Sequence, residues 1–218
     1  MLIVMEGIDG SGKSTVARLV ARELAPYRAV FVDKKDIGPA DPGTEARAGR
    51  LRELIWSSPE KQGDTYGAAH WILLIASWYA GLARLRPDLT DPDTLAVTDG
   101  WYYRNIAKTL VRERLDAHWV ESLFAPVPES ALTVLLDVAP EVAWARRHDF
   151  KDTEIGRWDG FTGPPRESYR AYQSVVREEL LRMAKDRDWL VLTPDPDDPP
   201  ERTAAAVVAA VRALRRTP

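Results

Sequence analysis

The residues best suited to chemistry form a glycine-rich segment near the N-terminus, GIDGSGKST over residues 7–15. The spacing G-x-x-x-x-G-K-[ST] is met in full from Gly7 to Ser14, after a short apolar run and before a helical pattern. Glycines let the backbone curl until successive N–H groups face one anion, and the N-terminus of the following helix adds positive potential. The segment therefore predicts a site for a nucleoside triphosphate.

The polar side chains of this segment have distinct predicted roles. Lys13 is expected to reach the β- and γ-phosphates, and the Ser14 hydroxyl is expected to bind Mg²⁺. ATP and Mg²⁺ are thus the expected cofactors. The residues predicted to bind ATP are Gly7, Asp9, Gly10, Ser11, Gly12, Lys13, Ser14 and Thr15.

Five apolar runs that alternate with helical patterns predict the scaffold around this segment. Strands are expected at 2–5, 29–32, 95–98, 132–136 and 189–192, and helices at 13–24, 44–56, 65–86, 102–124, 165–186 and 200–216. Continuous apolar strands separated by helices indicate a parallel sheet covered on both faces, and ligands of such sheets collect at the carboxyl ends of the strands. Four aspartates near predicted strand ends are expected to converge there: Asp9, Asp33, Asp99 and Asp137.

The composition excludes several classes of protein. The chain has 218 residues, of which 45% are hydrophobic and 29% charged, as is ordinary for a globular domain. A net charge of −3 without a basic run argues against nucleic-acid binding, and the absence of cysteine excludes disulfides and fits a cytoplasmic protein. The uncharged stretch 67–83 is short for a membrane span, so a buried helix or a subunit interface is predicted instead.

Three segments resemble the thymidylate kinase family of P-loop nucleoside monophosphate kinases. They are MEGIDGSGKST at 5–15, with an acidic residue inside the loop, LAVTD at 95–99 and LLDVAPEVA at 135–143. The resemblance implies an α/β fold of the P-loop NTPase type, with three α/β/α layers, a five-stranded parallel sheet and a helical lid, in one domain over 1–218. It also implies ATP-dependent phosphorylation of a nucleotide, with dTMP as the default acceptor, by a homodimer.

Phosphoryl transfer requires positioning and neutralisation of charge, which suggests roles for two aspartates. Asp99 is expected to orient the water shell of the metal or to take the acceptor proton, with capping of the next helix as the alternative. The family resemblance implies that Asp9 bonds an acceptor hydroxyl or an arginine beside it, with a capping role as the alternative.

The loop offers Ser11 and no arginine at the position after Gly10, and for such a loop the family resemblance implies that cations for the transition state come from a lid, here at about 143–165. The candidates are Arg146, Arg147, Lys151 and Arg157. Arg146 and Arg147 are favoured because a helix is expected to fix their direction. A solvated charged face is the alternative reading of this run.

The acceptor side departs from the family pattern at three places. Gly100 follows Asp99 where the family has arginine, and Tyr79 aligns where the third helix usually supplies an arginine to the acceptor phosphate. Residues 33–39, DKKDIGP, replace a basic-Pro-Gly segment. Lys34, Lys35 and Arg104 are candidates to replace the missing arginines. A changed acceptor, a nucleoside or a specialised small molecule, is equally open.

Aromatic residues cluster in the two segments expected to line the acceptor pocket. Trp71, Trp78 and Tyr103 are expected to stack on a nucleobase, although core packing explains them equally well. A nucleotide-dependent switch without an acceptor is a further alternative, because DKKD at 33–36 superficially matches the guanine-reading N-K-x-D sequence. Its position soon after the loop, and the lid arginines, argue against a switch.

Overall fold

The computed structural model describes residues 1–57, 64–147 and 149–216, and the sheet at its centre follows the predicted apolar runs. The strands are β1 Leu2–Glu6, β2 Ala29–Phe31, β3 Leu95–Thr98, β4 Leu132–Leu136 and β5 Leu190–Leu192. All are parallel, in the order β2-β3-β1-β4-β5. Strand β1 is central, so the glycine-rich segment that follows it leaves the sheet at the middle of its carboxyl edge.

Eight α-helices are found in the described residues: α1 Lys13–Glu23, α2 Pro42–Trp56, α3 Ala68–Leu85, α4 Tyr103–Arg112, α5 Ala117–Ser122, α6 Pro140–Ala145, α7 Pro165–Asp186 and α8 Pro200–Leu214. The single helix predicted over 102–124 is in fact two. Helix α5 starts anew because the carboxylate of Asp116 accepts a hydrogen bond from the backbone N–H of Trp119 at 2.7 Å, as an N-cap does. Short 3₁₀ turns lie at Ala25–Tyr27, Pro87–Leu89 and Arg157–Asp159.

Alternating side chains of β1 divide the interior into two cores. Leu2 and Val4 belong to a core with residues of α3, α4 and α7, whereas Ile3 and Met5 belong to a core with residues of α1 and α8. Successive strand side chains point to opposite faces, so helices must cover both faces of a sheet with this pattern. The arrangement confirms the predicted three-layer α/β/α fold.

The uncharged stretch at 67–83 forms most of α3, a helix with one buried face. Ile72, Tyr79 and Leu82 are buried in the first core, whereas Leu73 is 49% exposed on the other side of the helix. Within the described ranges, no helix has the length and apolarity needed to cross a bilayer. The prediction of a buried helix is confirmed.

Candidate active site

The glycine-rich segment forms a loop that turns into α1. Gly7, Gly10 and Gly12 have φ angles of 148°, 82° and 92°, which residues with a Cβ rarely adopt. Space is also limited at Gly10, where a Cβ would stand 3.0 Å from the carbonyl oxygen of Ala143. Helix α1 begins at Lys13, so its free N–H groups and those of the loop surround one position suited to phosphate.

Lys13 is folded back across this loop. Its ammonium donates hydrogen bonds to the carbonyl of Gly7 at 2.9 Å and to the hydroxyl of Ser11 at 3.3 Å. Burial and the nearby Arg104 lower the pKa of Lys13 to about 7, against the opposing effect of Asp9. A bound phosphate would offer this side chain a stronger partner than the loop carbonyls do.

Asp99, directly after β3, links the phosphate loop to the segment that follows β2. Its carboxylate accepts hydrogen bonds from the Ser14 hydroxyl and from the Lys34 ammonium, the latter at 2.7 Å. Burial acts to raise the pKa of Asp99, but Lys34 and Ser14 outweigh it and hold the pKa at about 2. Helix α4 has no side-chain N-cap, so the capping role considered for Asp99 does not apply.

The adjacent oxygens of Ser14 and Asp99 have the chemistry that Mg²⁺ requires. Hard divalent cations bind hydroxyl and carboxylate oxygens, and Mg²⁺ typically takes only one or two protein ligands besides water and substrate phosphates. No group of three or more potential His, Cys, Asp or Glu ligands occurs among the residues that the structure describes. The residues present therefore fit a magnesium ion held largely by a nucleotide.

Asp9 is held by cations from α4. Its two carboxylate oxygens lie 2.7 Å from Arg104 Nη1 and 2.7 Å from Lys108 Nζ. Although burial raises the pKa of Asp9, Arg104 and Lys108 keep it well below its usual value. The predicted arginine partner is present, and Lys108 is a second cation that the sequence analysis missed.

A cavity of about 860 Å³ lies beside Asp9 and Asp99 at the carboxyl edge of the sheet. Helix α4 presents Arg104, Lys108 and Arg112 to it, at intervals of four residues that place them on one helical face. The four-residue spacing after Arg104 is the feature of the sequence from which Lys108 and Arg112 could have been predicted. Further polar and aromatic lining comes from Lys34, Lys35, Asn105, Trp56, Trp71 and Trp158.

The three aromatic residues predicted for the acceptor pocket lie in three different environments. Trp71 lines the cavity. Trp78 is almost fully buried, and its indole N–H donates to the carbonyl of Lys34 at 2.8 Å, so it fixes the backbone of this lysine. Tyr103 packs against Trp189 and lines a different cavity, of about 600 Å³. Its predicted contact with an acceptor is therefore wrong, because neighbouring residues of a helix face different directions.

The predicted lid corresponds to the end of α6, a largely irregular segment and the 3₁₀ turn, with His148 outside the described residues. Helix α6 ends at Ala145, so the expectation that a helix directs both arginines is wrong. Arg146 is exposed, and its Nη1 lies 3.9 Å from the position of a Cβ on Gly12, over the loop. Arg147 turns away and binds Asp149 and Glu154 at 2.8 and 3.0 Å.

The remaining lid cations also divide between two roles. Lys151 lines the cavity beside Asp9 and Asp99. Arg157 donates hydrogen bonds to the carbonyls of Phe161 and Gly163 at 3.1 and 2.6 Å, and so holds the end of the lid together. Of the four predicted lid cations, only Arg146 and Lys151 face a site where a phosphate or an acceptor would lie.

The predicted convergence of four aspartates holds for three of them. Asp9, Asp33 and Asp99 line the same cavity. Asp137 instead accepts hydrogen bonds from Arg177 of α7, one of them at 2.9 Å. This bidentate pair anchors α7 beside the sheet, which is a structural role.

The phosphate loop after the central strand, the strand order and the adjoining cavity define a P-loop phosphotransferase. A sequence profile described as thymidylate kinase matches residues 5–195. Thymidylate kinases of Burkholderia vietnamiensis and Ralstonia pickettii are 35% and 30% identical to this chain, over 84% and 87% of each sequence, respectively. The chain belongs to the thymidylate kinase family, and its enzyme class is that of an ATP-dependent kinase.

Solved structures agree on the fold. A structure of thymidylate kinase from Candida albicans, an enzyme described as having broad substrate specificity, has a TM-score of 0.68 at 19% identity, over 98% of this chain and 92% of that chain. One from Ehrlichia chaffeensis has a TM-score of 0.64 at 17% identity, over 97% and 98%.

Proposed function

We propose that the protein transfers the γ-phosphoryl group of ATP to the phosphate of a nucleoside monophosphate, with dTMP as the first acceptor to be tested. The observation that carries this proposal is the position of Asp99, which is bonded at once to Ser14 of the phosphate loop and to Lys34 of the cavity. Asp99 therefore contacts both the loop that would hold the phosphoryl donor and the cavity that would hold the acceptor. Family membership supports the same reaction.

The donor side relies on the loop and the lid. ATP supplies the phosphoryl group when it is bound, and a magnesium ion would neutralise part of its charge. Lys13 exchanges the loop carbonyls for the β- and γ-phosphates, while Ser14 and Asp99 are the residues that would hold the metal. Arg146 lies over the loop and supplies positive charge where negative charge develops in the transition state.

On the acceptor side, cations from other elements replace the arginines missing at positions 79 and 100. Lys34 and Arg104 are placed to bind the acceptor phosphate, because both line the cavity next to the Asp99 and Asp9 carboxylates. Each retains donors beyond those used in these ion pairs. Trp71 flanks the base, and Lys151 approaches from the lid.

Turnover of ATP with a panel of nucleotides and nucleosides tests the proposal. We expect ADP to form with dTMP or another monophosphate and not with the corresponding nucleoside. Lys13→Met should remove nearly all turnover, whereas Lys185→Met, at an exposed site of α7, should leave it unchanged. Saturable turnover of unphosphorylated nucleosides, with none of any monophosphate, would contradict the proposal.

A specialised acceptor is the second candidate, and the absence of arginine at positions 79 and 100 favours it, because these two positions supply the acceptor phosphate with arginines in the family pattern. Efficient turnover of dTMP alone across the panel would rule this candidate out.

We further propose a cytoplasmic homodimer of single-domain subunits, each with a lid at about 143–165. The exposed side of α3 supports the dimer, since the apolar side chain of Leu73 is 49% exposed there and would be covered by a second subunit. Sedimentation analysis of the protein and of Leu73→Glu tests this: the variant is expected to be monomeric, and a wild-type monomer would contradict the proposal.

A further inference from the structure

Gln173 is a buried polar residue that belongs to neither the phosphate loop nor the lid. It lies on α7, and none of its surface is exposed to solvent. A glutamine amide that is removed from water needs partners inside the protein, for an oxygen that accepts and a nitrogen that donates twice. The identity of these partners therefore indicates what the residue does.

The amide of Gln173 bonds the phosphate loop and the lid at the same time. Its oxygen accepts a hydrogen bond from the backbone N–H of Asp9 at 3.3 Å. Its Nε2 donates to the carboxylate of Asp9 at 3.3 Å and to the backbone carbonyl of Glu154 at 2.6 Å. A reversed amide would set an N–H against an N–H and an oxygen against two oxygens, so the partners fix its orientation.

At the loop, Gln173 and Tyr169 hold the backbone of Asp9 from both sides. The two residues are four positions apart on α7, and the hydroxyl of Tyr169 donates to the Asp9 carbonyl while Gln173 accepts from the Asp9 N–H. The carboxylate of Asp9 in turn binds Arg104 and Lys108 of α4. Because Arg104 is placed to bind the acceptor phosphate, a shift of Asp9 would move this cation as well.

At the lid, Gln173 contacts the residue that orders the local chain. The carboxylate of Glu154 accepts a hydrogen bond from the backbone N–H of Lys151 at 2.8 Å. Two residues beyond Glu154, a Cβ on Gly156 would stand 2.6 Å from Cγ of Tyr172, so the lid backbone packs directly on α7. Gln173 is thus bonded to the lid at the place where the lid meets this helix.

We propose that Gln173 is a positioning residue that holds the phosphate loop and the lid in the relative arrangement that phosphoryl transfer requires. It acts through Asp9 on the loop side and through Glu154 on the lid side. Phosphoryl transfer depends on the placement of charge around the transferred group, and a displacement of about 1 Å can cost about 100-fold in rate. This inference rests on the proposed function and adds a residue to it.

Gln173→Met tests the role, because it removes all three hydrogen bonds at nearly constant side-chain length. We expect kcat to fall by about 30-fold or more, while the KM for ATP changes by less than about threefold. Lys185→Met, at an exposed site of the same helix, should leave both unchanged. A larger effect on the KM for ATP than on kcat would contradict the proposal.

A double-mutant cycle separates positioning of the lid from a general loss of structure. Arg146→Ala should lower kcat by about 100-fold in the wild type but by less than about tenfold in Gln173→Met, because the lid is no longer held in place there. Both measurements in the Gln173→Met background share one folded fraction, which cancels in the ratio. If Gln173→Met does not fold, Gln173→Asn carries the cycle, since its shorter amide cannot span loop and lid together. Fully multiplicative effects would overturn the proposal.

Amide hydrogen exchange keeps this inference distinct from the function on which it rests. Without substrates, exchange over residues 149–163 should be at least about tenfold faster in Gln173→Met than in the wild type, and unchanged in Lys185→Met. If the wild type phosphorylates no monophosphate, the proposed function fails, and the exchange rates still decide whether Gln173 holds the lid. Equal exchange in the wild type and Gln173→Met would show that it does not.

Discussion

The Nζ atom of Lys34 lies 2.7 Å from Oδ1 of Asp99 and 3.0 Å from the backbone carbonyl oxygen of the same residue. This ammonium occupies room that a side chain at position 100 would need, since a Cβ on Gly100 would stand 3.1 Å from it. A lysine from the segment after β2 therefore supplies positive charge beside Asp99, and we propose that it takes the place of the arginine that the family resemblance implies after this aspartate.

Lys34→Met should impair the acceptor side of the reaction. The substitution keeps the length of the side chain but removes its charge, so we expect kcat/KM for the acceptor to fall by about 100-fold or more. The KM for ATP should change little. Steady-state kinetics with both substrates varied checks this, and Lys185→Met is the matched control on α7. An unchanged KM and kcat for the acceptor would show that Lys34 does not replace the arginine.

ATP binding should take up a proton above neutral pH. Burial and Arg104 lower the pKa of Lys13 to about 7, so this amine is largely neutral at about pH 8 in the free protein. The charge of the triphosphate raises the pKa again, and binding then takes up about one proton per site at this pH and far less at about pH 6. Calorimetry in buffers of different ionisation enthalpy measures the uptake. Equal uptake in Lys13→Met would assign it to another group.

The two lid arginines should behave differently when each is changed to alanine. Arg146→Ala removes a cation over the loop, so kcat should fall by about 100-fold or more while the Kd of ATP changes little. Arg147→Ala removes ion pairs with Asp149 and Glu154 inside the lid, and its effect on kcat should be much smaller. Single-turnover rates distinguish the two. A larger loss from Arg147→Ala would contradict the assignment.

Tyr79→Arg, which restores the family residue, should destabilise the protein. Tyr79 is fully buried, with its ring edge-on to Trp101 and near Phe124, and a guanidinium there would displace aromatic packing. We expect the free energy of unfolding to fall by about 2–4 kcal/mol, whereas Tyr79→Phe changes it by less than about 1 kcal/mol. Denaturant unfolding measures both. A stable Tyr79→Arg protein with improved use of dTMP would mean that the position still serves the acceptor.

Features fixed by local spacing were predictable from the sequence. The loop requires glycines, Lys13 and Ser14 at set intervals. The apolar run of β3 places Asp99 at the carboxyl edge of the sheet, because Asp99 directly follows this strand. The five strands are predictable for the same reason, since each is a short continuous apolar run, and β1, β3 and β4 are buried as such a run predicts. These elements carry the donor side of the site.

Features that depend on irregular backbone or on partners distant in sequence were not predictable in the same way. The direction of Arg147 is set by Asp149 and Glu154 within an irregular segment, and that of Asp137 is set by Arg177, forty residues later. Tyr103 was misplaced because the boundary and the phase of α4 were not known to one residue. Lys108 and Arg112, however, follow from the four-residue spacing after Arg104 and were available from the sequence.

The central claim is that the phosphate loop and the cavity beside Asp99 act together in one transfer. The most direct measurement follows ATP labelled in its γ-phosphate through a complete reaction with a monophosphate acceptor. We predict that the label appears in a nucleoside diphosphate, in an amount equal to the ADP formed. Label found only in inorganic phosphate, with every monophosphate recovered unchanged, would contradict it.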